Sequence, residues 1–267
     1  MKFSKNNPLV SVIIPTKNNI RTIQRCLQSV KDQSYINIEL IVVDNHSTDG
    51  TLEIATKFTD KVYTKGPERS AQRNFGASKA KGKYLLIHDS DIYFHRKTVE
   101  ECVKLCEKQQ ADAVIIPEKS IGEGYWAKVK SLERDLYAGN DYIEAPRFFS
   151  TNIYKGIGGY NETLTGPEDW DLMIRIRENS FKILRAKNII FHDEGVVKIF
   201  GSSIKKRYYI KSFDEYKKMH PTWYKKQVNI FVRYPANRMM HFFIRYPIKT
   251  VSMIIMKGIE YLSTKIK

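Results

Sequence analysis

Short apolar runs alternate with helical stretches through the first half of the chain, and that alternation restricts the fold more than any other feature. LVSVIIP (9–15), IELIVVD (38–44) and YLLI (84–87) are of strand length and apolar but for Ser11, Glu39 and the closing Asp44. Strands with apolar residues on both faces lack the two-residue rhythm of a half-solvated sheet, so a parallel sheet covered on both faces is expected. Between the first two runs, Ile23, Leu27 and Val30 recur at helical spacing, which predicts a helix over about 20–32 with Asn18 or Asn19 as cap. Further helices are expected over about 70–79 and 97–109, a short strand near Val62, and another in ADAVIIP (111–117). The pattern predicts an α/β, Rossmann-like fold: a mostly parallel central sheet with helices on both faces.

In such sheets ligands collect beyond the carboxyl ends of the strands. Here those ends read Pro15-Thr16-Lys17-Asn18, Asp44-Asn45 and His88-Asp89-Ser90-Asp91. Asp89 and Asp91 place two like charges one residue apart at the end of an apolar strand. Carboxylates so close either raise one another's pKa or share a cation, and a hard divalent ion removes the repulsion. An acidic turn would explain one such motif, but independent turns have no reason to gather Asp44 and Asp91 at one edge. Later, a glycine-rich stretch around Gly159 precedes a helix starting near Glu168. The helix dipole by itself can account for Glu168, Asp169 and Asp171 in its first turn; Trp170 among them is suited to stacking on the apolar face of a sugar. His192 follows in IIFHDEG, at the expected end of a strand. Cys26, Cys102 and Cys106 are too few for a disulfide framework and are expected as packed thiols in a reducing compartment.

Taken together, PTKNN (15–19), VVDNHSTDGT (42–51), ERSAQRNFGASKAKGKYLLIHDSD (68–91), GIGGYNETL (156–164) and EDWDLMIR (168–175) resemble the ordered motifs of family-2 glycosyltransferases with the GT-A fold. Five motifs in the right order over residues 8–195 are far more specific than any one of them; His46 departs slightly from the pattern. The resemblance implies a catalytic domain over 1–200, with a nucleotide-binding half at about 8–117 and an acceptor half at about 118–200. It implies an inverting transfer from a UDP- or GDP-linked sugar, with Mn or Mg as cofactor. Pro15, Thr16, Asn18 and Asp44 would line the nucleoside, Arg69 and Arg73 would contact the nucleotide or brace its loop, and Asp89 would face the diphosphate. Asp91, with Asp89 and His192, would hold the metal. Asp169 matches the catalytic base, with Gly159, Glu168 and Trp170 on the acceptor side. The acceptor would be a glycan or lipid-linked saccharide hydroxyl; the alternative is a polyprenyl phosphate, as in dolichyl-phosphate sugar synthases.

The net charge of +16 is unevenly placed: residues 198–267 hold 16 Lys and Arg against 3 Asp and Glu, whereas the first 197 are nearly balanced. A nucleic-acid-binding protein is the competing class, but the charge does not lie on the domain with the candidate pocket, and no recognition motif accompanies it. FVRYP (231–235) and FIRYP (243–247) repeat, each proline able to open a helix. In the last helix Ile248, Val251, Ile255, Ile259, Leu262 and Ile266 fall on one face, with Lys249, Lys257, Glu260 and Lys267 opposite. No uncharged run there approaches the ~20 residues needed to span a bilayer. Residues 201–267 are therefore expected to form amphipathic helices lying on an anionic membrane surface, which would make the protein peripheral on the cytoplasmic face of the membrane.

Overall fold

The computed structural model describes residues 7–199 and 212–265. Chain order is β1 (Val10–Thr16), α1 (Ile20–Lys31), β2 (Ile38–Asp44), α2 (Thr51–Thr56), β3 (Val62–Thr64), α3 (Arg69–Lys79), β4 (Tyr84–Ile87), β5 (Ile92–Phe94), α4 (Thr98–Gln109), β6 (Ala113–Ile115) and β7 (Glu118–Glu123). There follow α5 (Gly124–Tyr137), β8 (Phe148–Ser150), α6 (Thr151–Gly156), α7 (Glu168–Glu178), β9 (Ile183–Arg185) and β10 (Ile190–Val196). The last helices are α8 (Phe213–Met219), α9 (Pro221–Val228), α10 (Ile230–Arg233), α11 (Ala236–Arg245) and α12 (Pro247–Lys265).

The main sheet has seven strands in the order β3-β2-β1-β4-β8-β6-β9. β1, β2 and β4 are buried on both faces, as their apolarity demands, while the edge strands β3 and β9 are only half-buried. Val10, Val12 and Ile14 join one core with Ile23, Leu27, Cys102 and Phe148. Ile13 points the other way, into a core with Ile41, Leu85, Phe149 and Leu172. The three cysteines are free and buried, as packed thiols. The sheet is mixed rather than uniformly parallel: β8 runs antiparallel to both β4 and β6, because the chain returns from α5 on the opposite heading. A second sheet, β5-β10-β7, stands beyond the carboxyl end of β4. Register places Thr16 beside Asp44 and Ile13 beside Ile87, so the three polar strand ends foreseen in the sequence share one edge.

The basic C-terminal segment folds against the catalytic core. His220 on α9's cap pairs with buried Asp171 of α7 at 2.9 Å, and Tyr216 of α8 packs with Leu164 and Ile174. On the other side, Met253 and Met256 of α12 pack on Val129 and Leu136 of α5. The orientation of α12 departs from the sequence expectation. Lys257 and Glu260, foreseen on the solvent side, face inward: Lys257 pairs with Glu133 of α5 at 2.6 Å and with Glu260 at 2.7 Å. Ile248, Val251, Ile255 and Leu262 face outward and are exposed. Burying the methionines while pairing the charge satisfies α5 better than the isoleucine stripe could, since that stripe offers Glu133 no cation. Lys249 lies by the Tyr246 ring, and Ile266 and Lys267 fall outside the described residues.

Candidate active site

The nucleotide side is built where β1 and β2 end. Asn45 N–H donates to the Thr16 carbonyl at 2.9 Å, continuing the ladder one step past the strands. Asp44 is buried and accepts from the Ser47 amide at 2.8 Å and its hydroxyl at 2.5 Å, which folds the NHST turn back on the strand. Asn18, with a left-handed φ of 46°, accepts from the Thr48 amide at 2.8 Å and donates its own amide to the Ser47 hydroxyl at 2.8 Å. The PTKNN and NHST loops are thereby one unit, with Pro15 and Thr16 buried beneath it. Gln72 of α3 donates to the Thr16 and Val43 carbonyls, fixing α3 against the same edge.

The acidic turn after β4 is divided between two sets of partners. Asp89 pairs with Arg73 at 2.7 Å and lies 3.9 Å from Arg69. Burial alone would raise its pKa, but Arg73, then Arg69 and Arg147, hold its carboxyl far below the usual range. Asp91 pairs instead with His192, 3.2 Å from Nε2. His192 is not at a strand end: it sits within β10, opposite Ile92 of β5 and Ser120 of β7. Its Nδ1 meets Glu118 at 2.6 Å. Burial disfavours the charged ring, yet Glu118 and Asp91 outweigh it and raise its pKa to about 10.

Arg73 links this turn to the acceptor side. Only 1% of its side chain is exposed, and its guanidinium reaches Asp89, Asp169 at 3.2 Å and Glu168 at 3.4 Å while lying 4.8 Å from the Tyr160 ring centroid. Arg69 pairs with Glu168 at 2.9 Å. Burial, then the neighbouring Asp169, raise the pKa of Glu168. Glu168 also accepts the Gly166 amide, so it braces the start of α7 rather than facing a ligand. Gly159 is structural as well: at φ 66° a Cβ would stand 2.6 Å from Asn74 Oδ1, and its carbonyl accepts from Arg175 at 2.6 Å. Trp170 donates its indole N–H to the Ile143 carbonyl at 2.8 Å.

Asp169, at 28% side-chain exposure, opens onto a polar cavity of about 330 Å³ together with Trp170, Glu118, Arg134, Arg147 and Arg233. None of the last four was singled out from the sequence. Glu118 and Arg134 are ordinary charged residues in β7 and α5, and only their meeting with His192 gives them meaning. Arg134 and Arg147 share Glu118. Arg134 Nε, Arg147 Nη1 and Arg233 Nε are buried without hydrogen-bond partners.

The glycosyl transferase family 2 profile matches residues 11–163, which include the PTKNN loop, Asp44, Arg73, the acidic turn and Gly159. The chain belongs to glycosyl transferase family 2. It is 26% identical over 216 residues to an uncharacterized glycosyltransferase of Rickettsia typhi, covering 74% of this chain and 65% of that protein. It is 28% identical over 235 residues to chondroitin synthase of Pasteurella multocida, covering 80% of this chain and 22% of that one. The chain thus spans less than two thirds of either relative. In fold, this family-2 chain matches the mannosyltransferase PcManGT of Pyrobaculum calidifontis, solved with GDP-Man and Mn²⁺, with a TM-score of 0.63 at 17% identity over 97% of this chain and 81% of that one.

The family's metal can be tested against these side chains. Among the described residues no group of three or more His, Cys, Asp and Glu side chains forms a ready cluster. Asp91 and His192 nevertheless fit an ion held from one side. Asp91 Oδ1 is buried with no partner, an acceptor in want of a cation. A hard divalent ion commonly takes one or two protein ligands and completes its shell with substrate phosphates and water. His192 would have to give up its proton to join it. Asp89, held by two arginines, is poorly placed to serve.

Proposed function

We propose that the protein transfers a sugar, with inversion, from a nucleotide-sugar donor to an acceptor hydroxyl. The observation that carries this reading is the Arg73 bridge: one buried guanidinium joins Asp89 of the donor-side turn to Asp169 at the mouth of the cavity. Donor diphosphate and acceptor would thus meet across a single rigid element. The nucleoside would lie along Pro15, Thr16, Asn18 and Asp44, and Asp91 with His192 would hold Mn²⁺ or Mg²⁺. The ion, when bound, offsets charge growing on the departing diphosphate. Asp169 engages Arg73 through Oδ1 alone, which leaves Oδ2 to accept the acceptor's proton. The acceptor oxygen bonds to the anomeric carbon as the bond to the diphosphate breaks; the nucleoside diphosphate leaves and the proton rests on Asp169. That a relative is named for chondroitin synthesis, and that chains of like fold were solved with GDP-Man and with UDP-GlcNAc, supports a glycan-building role with either UDP or GDP donors.

A hydroxyl is a poor nucleophile at neutral pH, so a positioned base is worth ~10²- to 10⁴-fold. Asp169→Asn, nearly isosteric, is expected to keep donor binding and cut transfer from a radiolabelled nucleotide sugar to membrane-extracted acceptor by at least the lower end of that range. The second reading is a polyprenyl-phosphate acceptor, favoured by Arg134, Arg147 and Arg233 around the cavity. A phosphate already carries its charge, so retention of transfer within a few-fold in Asp169→Asn would select it.

A further inference from the structure

The outer side of the last helices is apolar where a protein surface is ordinarily polar. On α11, Met240 and Ile244 stand one turn apart and are 63% and 78% exposed. On α12, Ile248, Val251, Ile255 and Leu262 continue at helical spacing along one stripe, all exposed. Phe231 of α10 is exposed beside them in sequence. The helices are already docked by their other sides, through Met239, Phe242, Met253 and Met256 onto α5. This stripe therefore has no role in holding the chain together.

Charge decides what could cover it. Between residues 221 and 262 the sequence holds seven Lys and Arg and one acid, Glu260. That acid is 6% exposed and turned inward against Lys257. Lys225, Lys226, Arg238 and Arg245 are exposed. The outward surface of these helices is thus apolar with a basic rim; one exposed acid, Asp135 of α5, lies against α11 in a cavity with Asn237, Arg238 and His241. Among the described residues no helix is long and apolar enough to cross a membrane. An in-plane helix presents this combination: side chains that enter the acyl boundary, flanked by cations that meet headgroups.

We propose that α11 and α12 seat the protein on an anionic lipid bilayer, with Met240, Ile244, Ile248, Val251 and Ile255 entering the interface and Arg245 and Lys249 on lipid phosphates, while Arg238 stays on the Leu136 and Ala138 carbonyls at the end of α5. The attachment is independent of the transfer reaction proposed above. It bears on that reaction only through Arg233, which closes α10 just before α11 and lines the cavity at Asp169, so the acceptor side would lie toward the lipid.

The test is co-sedimentation of the full chain with vesicles of phosphatidylcholine alone and of phosphatidylcholine mixed with phosphatidylglycerol. The triple variant I244S/I248S/I255S and the charge variant R245Q/K249Q are compared, with nucleotide binding as a folding control. The wild type is expected on the anionic vesicles, with the triple variant partitioning at least about tenfold less and the charge variant losing its preference for phosphatidylglycerol, nucleotide binding being unchanged in both. Failure of the wild type to sediment, equal partition onto both vesicle types, or unchanged partition of the triple variant would overturn the proposal. So would a wild-type dimer in lipid-free buffer that the triple variant converts to monomer, since a second copy would then cover the stripe.

Discussion

Arg73 carries more of the site than either residue of the acidic turn. A buried guanidinium needs its full set of acceptors, and removing one partner of a buried pair costs on the order of 3 kcal/mol, because the remaining charge is left uncompensated. Asp89 is the nearest of those partners. Asp89→Asn is therefore expected to lower stability in urea unfolding by about that amount, with donor binding weakened whether or not Mn²⁺ is present. Asp91 is a different case. Its side chain is 35% exposed and its ion-pair partner is a histidine, so Asp91→Asn should change stability by less than about 1 kcal/mol. Equal destabilisation by the two substitutions would show that Arg73 does not depend on Asp89.

At the scale of elements, the decisive contact is the one between α5 and α12. Glu133 is 9% exposed and pairs with Lys257. Burial alone would raise its pKa, but Lys257 and Arg233 draw it down to about 2. The unfolded value is about 4.3, so the folded state binds this proton less readily than the unfolded one. Its contribution is fully present above the unfolded pKa and is lost as pH falls from about 5 toward 2. Thermal unfolding followed between those limits should show the wild type losing stability more steeply than Glu133→Gln, the two converging at the acid end. Parallel curves would mean that Glu133 and Lys257 do not hold the helices together. The same contact sets which side of α12 docks. Helical spacing defines a face of isoleucines and a face of lysine and glutamate, but not which one a neighbour will choose; Glu133, more than a hundred residues earlier, chose the charged one.

Across the whole molecule, what was legible is what is local. Apolar runs revealed β1, β2 and β4, and the polar residues immediately following them revealed Asp44, Asp89 and Asp91. Arg73 and Asp169 came from the family resemblance, and their contact spans 96 residues. Glu118 and His192 meet across 74 residues through a second sheet; the strand of His192 was legible in IIFHDEG, but β5 and β7, three and six residues long, were not. Arg134, Arg147 and Arg233 come from three separate elements and acquire a common role only at the cavity. The donor side could be read along the chain, whereas the acceptor side exists only in the folded arrangement.

The central claim, a nucleotide sugar bound through a divalent ion at Asp91, is tested most directly by calorimetric titration of UDP- and GDP-sugars with and without Mn²⁺. The account predicts that at least one donor binds the wild type markedly more tightly with Mn²⁺, and that Asp91→Asn loses this gain while keeping the weaker metal-independent binding. A wild type that binds no nucleotide sugar under either condition, or an Asp91→Asn variant that keeps the full Mn²⁺-dependent gain, would contradict it.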